Sequence, residues 1–133
     1  MKAISSRAGK GLLIGSHVIA TDNSGARIVK VVSVKRGKTR KGRQQGARIA
    51  DHVKVSVRKG NPEMKGQVFD AVVVRQKKPI LRNSGERVSF EDNAVVLLKD
   101  EKGNPKGTQV KGVIAREAFS RWGEVGKLAK FVY

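Results

Sequence analysis

Between positions 35 and 43 the chain reads Lys35-Arg36-Gly37-Lys38-Thr39-Arg40-Lys41-Gly42-Arg43, six bases in nine residues and no acid. Like charges at that density repel, and the repulsion costs free energy until a polyanion neutralises it. The chemistry on offer is phosphate binding. Gly37 and Gly42 let the backbone come close to a sugar-phosphate chain. The segment falls short of a nucleotide-binding P-loop. Gly37, Gly42 and Arg43 have the spacing, but Arg43-Gln44 stands where that loop needs Lys followed by Ser or Thr, so the Mg²⁺-binding hydroxyl is missing.

Other reactive groups are sparse. His17 and His52 are isolated, and Asp51-His52 would point to opposite faces of a strand. A two-metal nuclease needs several converging acids. Asp22, Asp51, Asp70, Glu91-Asp92 and Asp100-Glu101 are scattered, and the last two pairs read as solvated turns. There is no Cys, which excludes disulfides, thiol catalysis and Cys-based zinc sites. No catalytic residue, metal ligand or cofactor is expected. Sequence readers that stack bases interleave aromatics with Lys and Arg. Here Phe69 and Phe90 sit among apolar neighbours, Phe119 and Trp122 lie in the tail, and these four read as packing residues; Phe131 and Tyr133 follow in the tail. Contacts to phosphate, sugar and folded RNA shape are therefore favoured over base readout.

The wider charge supports this. The 133 residues carry 29 Lys or Arg against 11 Asp or Glu, a formal net of +18. Residues 1–50 hold twelve bases and one acid, Asp22. Lys2, Arg7 and Lys10 mark a basic N-terminal extension, residues 1–14, expected to order on a nucleic acid. Arg48, Arg58, Lys59 and Lys65 are further candidate phosphate contacts. No apolar run approaches the roughly 18–20 residues of a membrane helix, and Leu12-Leu13-Ile14 is too short for a secretory signal. No membrane partner is expected.

The elements that must hold these bases read as strands. Val53, Val55 and Val57 alternate with Lys54, Ser56 and Arg58, the period of a half-buried strand. Ala26 to Val34, Val68 to Val74 and Ala94 to Leu98 are β-branched or continuous apolar runs, with Leu13 to Ala20 a weaker fifth. Asp22-Asn23-Ser24-Gly25, Asn61-Pro62, Asn83-Ser84-Gly85 and Gly103-Asn104-Pro105 supply turns. Five short strands in so small a chain predict a mainly β fold, a small closed five-stranded β-barrel over 15–114, with a basic hairpin near 35–47. Ala115, Phe119 and Trp122 fall on one helical stripe. Residues 115–133 should thus form one or two short C-terminal helices, with that stripe packed on the barrel and Arg116, Glu117, Ser120 and Arg121 facing outward. Gly123 reads as a helix-ending glycine, and Gly126 weakens a second turn built on Val125, Leu128 and Ala129. One domain, 1–133, accounts for the chain.

The stretch Ala71-Val72-Val73-Val74, then Ser84-Gly85, Phe90, Asn93, Val96 and Leu97 resembles the signature of the universal large-subunit ribosomal protein family L-fourteen. Asp22-Asn23-Ser24-Gly25-Ala26-Arg27 is similar to its other hallmark, and Gly107-Thr108, Gly112 and Ala115-Arg116-Glu117 to its later motif. The extra residues before Gly15 and the tail Ala118-Phe119-Ser120-Arg121-Trp122 resemble the archaeal and eukaryotic branch. The resemblance implies a five-stranded barrel with a β-ribbon and small C-terminal helices, in a non-enzymatic protein of the cytoplasmic ribosome. It implies binding of large-subunit rRNA near the subunit interface, and contacts with neighbouring large-subunit proteins. It also implies a bridge to small-subunit rRNA and an anti-association factor docking near the C-terminal region, and Arg116, Ser120 and Arg121 are expected at a protein or subunit interface. The alternative is a free-standing RNA chaperone of small β-barrel type, which would need a surface aromatic cluster.

Overall fold

β-Branched runs form the wall of a closed barrel in the computed structural model, which describes residues 2–37 and 39–133. In chain order the strands are β1 (Arg7–Ala8), β2 (Leu12–Leu13), β3 (His17–Ala20), β4 (Ala26–Val34), β5 (Gly46–Ala47), β6 (His52–Gly60), β7 (Val68–Arg75), β8 (Ile80–Leu81), β9 (Arg87–Val88), β10 (Ala94–Leu98), β11 (Val110–Ile114) and β12 (Ala129–Val132). Two short helices, α1 (Arg116–Arg121) and α2 (Gly123–Leu128), lie between β11 and β12. The barrel runs β10-β3-β4-β6-β7, and β7 closes it by pairing antiparallel with β10. Its one parallel junction is β10 beside β3.

The two kinds of apolar run have different surroundings. In β6 only one face is apolar: Val53, Val55 and Val57 point into the barrel and Lys54 faces solvent. In β7 and β10 both faces are covered. Ala71, Val73, Val95 and Leu97 fill the barrel interior. Val72, Val74, Ala94, Val96 and Leu98 join Val110, Ile114, Ala118 and Val125 in a second apolar layer under the helices. A strand buried on both faces reads as a continuous apolar run, a half-buried one as an alternation.

The Asp22-Asn23-Ser24-Gly25 turn is a staple. Asp22 Oδ2 accepts from the Leu97 N–H at 3.2 Å, and its Oδ1 accepts from the Ser24 hydroxyl. Asn23 Oδ1 accepts from the N–H groups of Thr108 and Gln109 at 2.7 and 3.1 Å. Desolvation raises the Asp22 pKa, with the Ser24 and Leu97 hydrogen bonds pulling the other way. This hallmark therefore joins the β3–β4 turn to β10 and to the loop before β11.

The N-terminal extension is built into the fold. β1 pairs antiparallel with β8, which pairs with β9 to make a small ribbon. Ile4 packs against both apolar layers. The partner strand of β1 is the two-residue Ile80–Leu81, too short for any periodicity to announce the pairing.

The tail departs from its helical stripe. α1 and α2 form, and Ala115 and Ala118 are buried, but Phe119 is 46% exposed. Gly126 is what receives its ring: a Cβ there would stand 2.6 Å from Phe119 Cδ2. The absent side chain gives Phe119 a surface shelf instead of a core slot. Gly123 starts α2 rather than ending α1. Phe131, Val132 and Tyr133 are also exposed.

Glu117 and Arg121 turn inward, which corrects the outward placement expected of both. Glu117 is 3% exposed and binds Arg82 from the turn after β8: Arg82 Nε donates to Oε1 at 3.1 Å and Nη2 to Oε2 at 3.3 Å. The Ser6 hydroxyl also donates to Glu117 Oε1, and Arg82 Nη1 donates to the Tyr133 carbonyl. One buried ion pair thus clasps the N-terminal extension, the ribbon, α1 and the C-terminal end. Arg121 donates from Nε to the Lys2 carbonyl at 2.6 Å and from Nη1 to the Ala50 carbonyl at 3.3 Å, with Asp51 Oδ1 3.5 Å away. Arg116 and Ser120 stay exposed, as the helical spacing requires.

Candidate nucleic-acid interface

β4 and β6 pair antiparallel along most of their length, and the segment that joins them carries the basic run. The Lys35 N–H donates to the His52 carbonyl at 3.0 Å, so the two strands remain tied where the loop begins. Arg36 then takes a left-handed φ of 63°, which turns the chain out of the sheet. Residues 39–45 form no strand. Gly46 and Ala47 make the nearest ladder, and they pair with Leu13 and Leu12 instead of across the loop. Mutual repulsion of the bases and two flexible glycines account for this openness.

The loop walls a concavity of about 610 Å³. Lys35, Arg36, Arg40, Lys41, Arg43, Arg48, Lys10 and Arg121 line it, with Thr39, Gln44 and Gln45 as uncharged donors. Asp51 is its one acid among the described residues. Asp51 is already engaged: Oδ2 accepts the Arg48 N–H at 3.0 Å and Oδ1 faces Arg121. Arg40, Lys41 and Arg43 are exposed and make no ion pair among the described residues. Lys35 meets Glu101 at 3.4 Å, an exposed pair of small energetic weight. Lys38 falls outside the described residues.

Several expected contacts stand elsewhere. Arg58 and Lys59 are exposed near the far end of β6, roughly 20 Å along the strand from His52 at about 3.3 Å per residue. Lys65 is exposed in the turn after that end. Arg7 lines a separate hollow with Leu81 and Arg82. Lys2 contributes its carbonyl to Arg121, while its side chain is exposed. Lys10 alone of the N-terminal bases joins the main concavity.

Sequence spacing could not assign Arg121 to this wall. Its placement depends on Ala50, a non-glycine residue at φ 67°. That conformation aims the Ala50 carbonyl at the tail, where it accepts from Trp122 Nε1 at 2.8 Å and from Arg121. Desolvation draws the Arg121 pKa below its ordinary value, opposed by the Asp51 carboxylate. The guanidinium stays charged.

Among the described residues, no group of three or more His, Asp or Glu is placed to hold a metal ion, and no helix is long and apolar enough to cross a membrane. His52 Nε2 lies 3.2 Å from Asp70 Oδ1 without lining up as a hydrogen bond.

Comparison with known proteins agrees with the hallmarks. The model of the family described as Ribosomal protein L14p/L23e matches residues 12–133. The chain is 51% identical to the Large ribosomal subunit protein uL14 of Nanoarchaeum equitans, over 99% of both chains. It is 48% identical to the protein of that name from Haloarcula marismortui and 45% identical to that from Methanocorpusculum labreanum, again over 99% of both. These alignments run over nearly the whole chain, so they take in residues before position 12 as well. By barrel, hallmark turns and full-length similarity, this chain belongs to the ribosomal protein L14p/L23e family.

Proposed function

We propose that the protein is a structural, non-catalytic constituent of the large ribosomal subunit. It binds large-subunit rRNA through phosphate and shape contacts near the subunit interface and contributes to an intersubunit bridge. The observation that carries this reading is the concavity walled by Lys35, Arg36, Arg40, Lys41, Arg43 and Arg48, in which Asp51 is already bound. An open, single-sign surface of that kind fits a phosphate backbone. Lys38 and Lys10 add to it, with Lys2, Arg7, Arg58, Lys59 and Lys65 as contacts to RNA outside the concavity.

The protein-facing surface is the C-terminal layer. Phe119, Phe131, Val132 and Tyr133 are exposed there, large apolar side chains of the kind that protein contacts cover. Neighbouring large-subunit proteins and an anti-association factor are the proposed partners, with Arg116 and Ser120 at its polar margin. Small-subunit rRNA is the partner at the bridge, and the place of work is the cytoplasmic ribosome.

Sedimentation of a tagged copy through a sucrose gradient at high salt tests the reading. Co-migration with the large subunit is expected. A copy that stays at the top of the gradient, or follows free RNA, contradicts it and favours a free-standing chaperone.

A further inference from the structure

A second hollow, of about 340 Å³, opens beside the basic concavity and shares Lys35, Arg36 and Arg121 with it. Its character is different. Trp122 and His52 line it from the buried side, and Lys102 adds a base at the exposed rim. The two rings stand nearly perpendicular, 88° apart with centroids 5.6 Å from each other. Their positions are fixed by packing. Trp122 Nε1 is held by the Ala50 carbonyl, and Gly103 presses so close that a Cβ there would lie 2.8 Å from the indole. Glu101 is the acid in the lining, and it is the residue that pairs with Lys35.

We infer that this hollow receives a single nucleotide extruded from RNA, with its base against Trp122 and its phosphates on Lys35, Arg36 and Lys102. The inference rests on the reading of the neighbouring concavity as an RNA interface and names what the adjoining hollow takes. Size argues for one nucleotide. The volume is near the small end of ligand pockets and cannot admit a duplex. Chemistry argues for a base: unpaired bases stack on aromatic rings and guanidinium planes, and a ring fixed in advance loses no rotamer freedom on binding. Connection argues for RNA rather than a free nucleotide. Bases that line both hollows let one sugar-phosphate chain cross from the concavity to the pocket rim.

Trp122 is the only tryptophan in the chain, so its fluorescence reports on this hollow and no other. The full-length protein would be titrated with an RNA hairpin carrying one bulged nucleotide, with the fully paired hairpin, and with a free mononucleotide. Saturable quenching by the bulged hairpin alone is expected, with preference for it over the paired form. One stacked base is worth about 5- to 150-fold in affinity. Trp122→Leu, checked by its melt, should lower affinity for the bulged hairpin to that for the paired one. Should that variant fail to fold, Lys102→Glu on the exposed rim should reduce the same preference. Binding of both hairpins with equal affinity and unchanged emission overturns the pocket and leaves the basic interface standing. Quenching by the mononucleotide as strong as by the bulged hairpin overturns the RNA assignment. Binding of neither hairpin overturns the interface reading and the pocket with it.

Discussion

Arginine does opposite work on two sides of this molecule. In the loop after β4, Arg40 and Arg43 are exposed and stand among other bases. In the tail layer, Arg82 is 6% exposed and matched two-to-two with Glu117. The buried arginine holds four chain segments together and is unavailable to a polyanion. The exposed ones contribute nothing visible to the fold and are free to meet phosphate. Net charge alone does not separate these roles. What separates them is whether an acid has been brought within reach.

The largest break in that contrast is at the clasp. Glu117→Gln leaves Arg82 buried with its charge unmatched, and breaking a buried pair from one side costs about 3–5 kcal/mol. For a chain of this size that lowers the melting temperature by about 10 °C or more. RNA affinity, measured well below both melts, should be unchanged. A variant that melts like the parent would show that the pair is dispensable.

Trp122 and Phe119 come next, and they divide an apparent helical stripe. Trp122→Ala removes a partly buried ring and its hydrogen bond to Ala50, at about 2–4 kcal/mol. Phe119→Ala removes a half-exposed ring from the Gly126 shelf and should cost about 1 kcal/mol. Thermal melts of the two variants check the order. Equal losses would place Phe119 in the core after all.

The smallest expected effect is at Asp22. Desolvation raises its folded-state pKa above 3.8. Its stabilising contribution is therefore full below the unfolded value and is lost as pH rises through the folded one. Asp100 is lowered by its hydrogen bond to Asn104, so its contribution runs the other way and is lost on acidification. Asp22→Asn should make the loss of stability on acidification steeper than in the parent, because a group that gains on acidification is gone. Melts from pH 7 down to pH 4 would show it, and parallel curves would contradict it.

The barrel was legible because its information is local. Ala26–Val34 and Ala94–Leu98 are strands with the bounds of their apolar runs, and the alternation at Val53, Val55 and Val57 marks the half-buried wall. The basic loop was equally legible, since charge density needs no partner to be seen. Glu117 and Arg121 were not. Their environments are set by Arg82 and Asp51, 35 and 70 residues away, and helical spacing carries no record of either. Phe119 was misplaced for a related reason: Gly126 reads as a weak helix residue and acts as a seat for a ring. The two-residue β1 has too few residues for any periodicity, so its pairing with β8 could not be foreseen.

The central claim is that the open basic loop, and not the paired arginines, grips RNA phosphate. The salt dependence of binding tests it most directly. Full-length protein and an Arg40→Ala, Lys41→Ala, Arg43→Ala triple variant would be titrated with single-stranded RNA over a range of salt concentrations. Each lost phosphate contact should flatten the slope of log K against log salt by about 0.7, so the triple variant should be shallower by about 2. Its melt should stay close to the parent's, since exposed sites away from the core change stability little. A slope equal to the parent's, with the variant folded, would contradict the account.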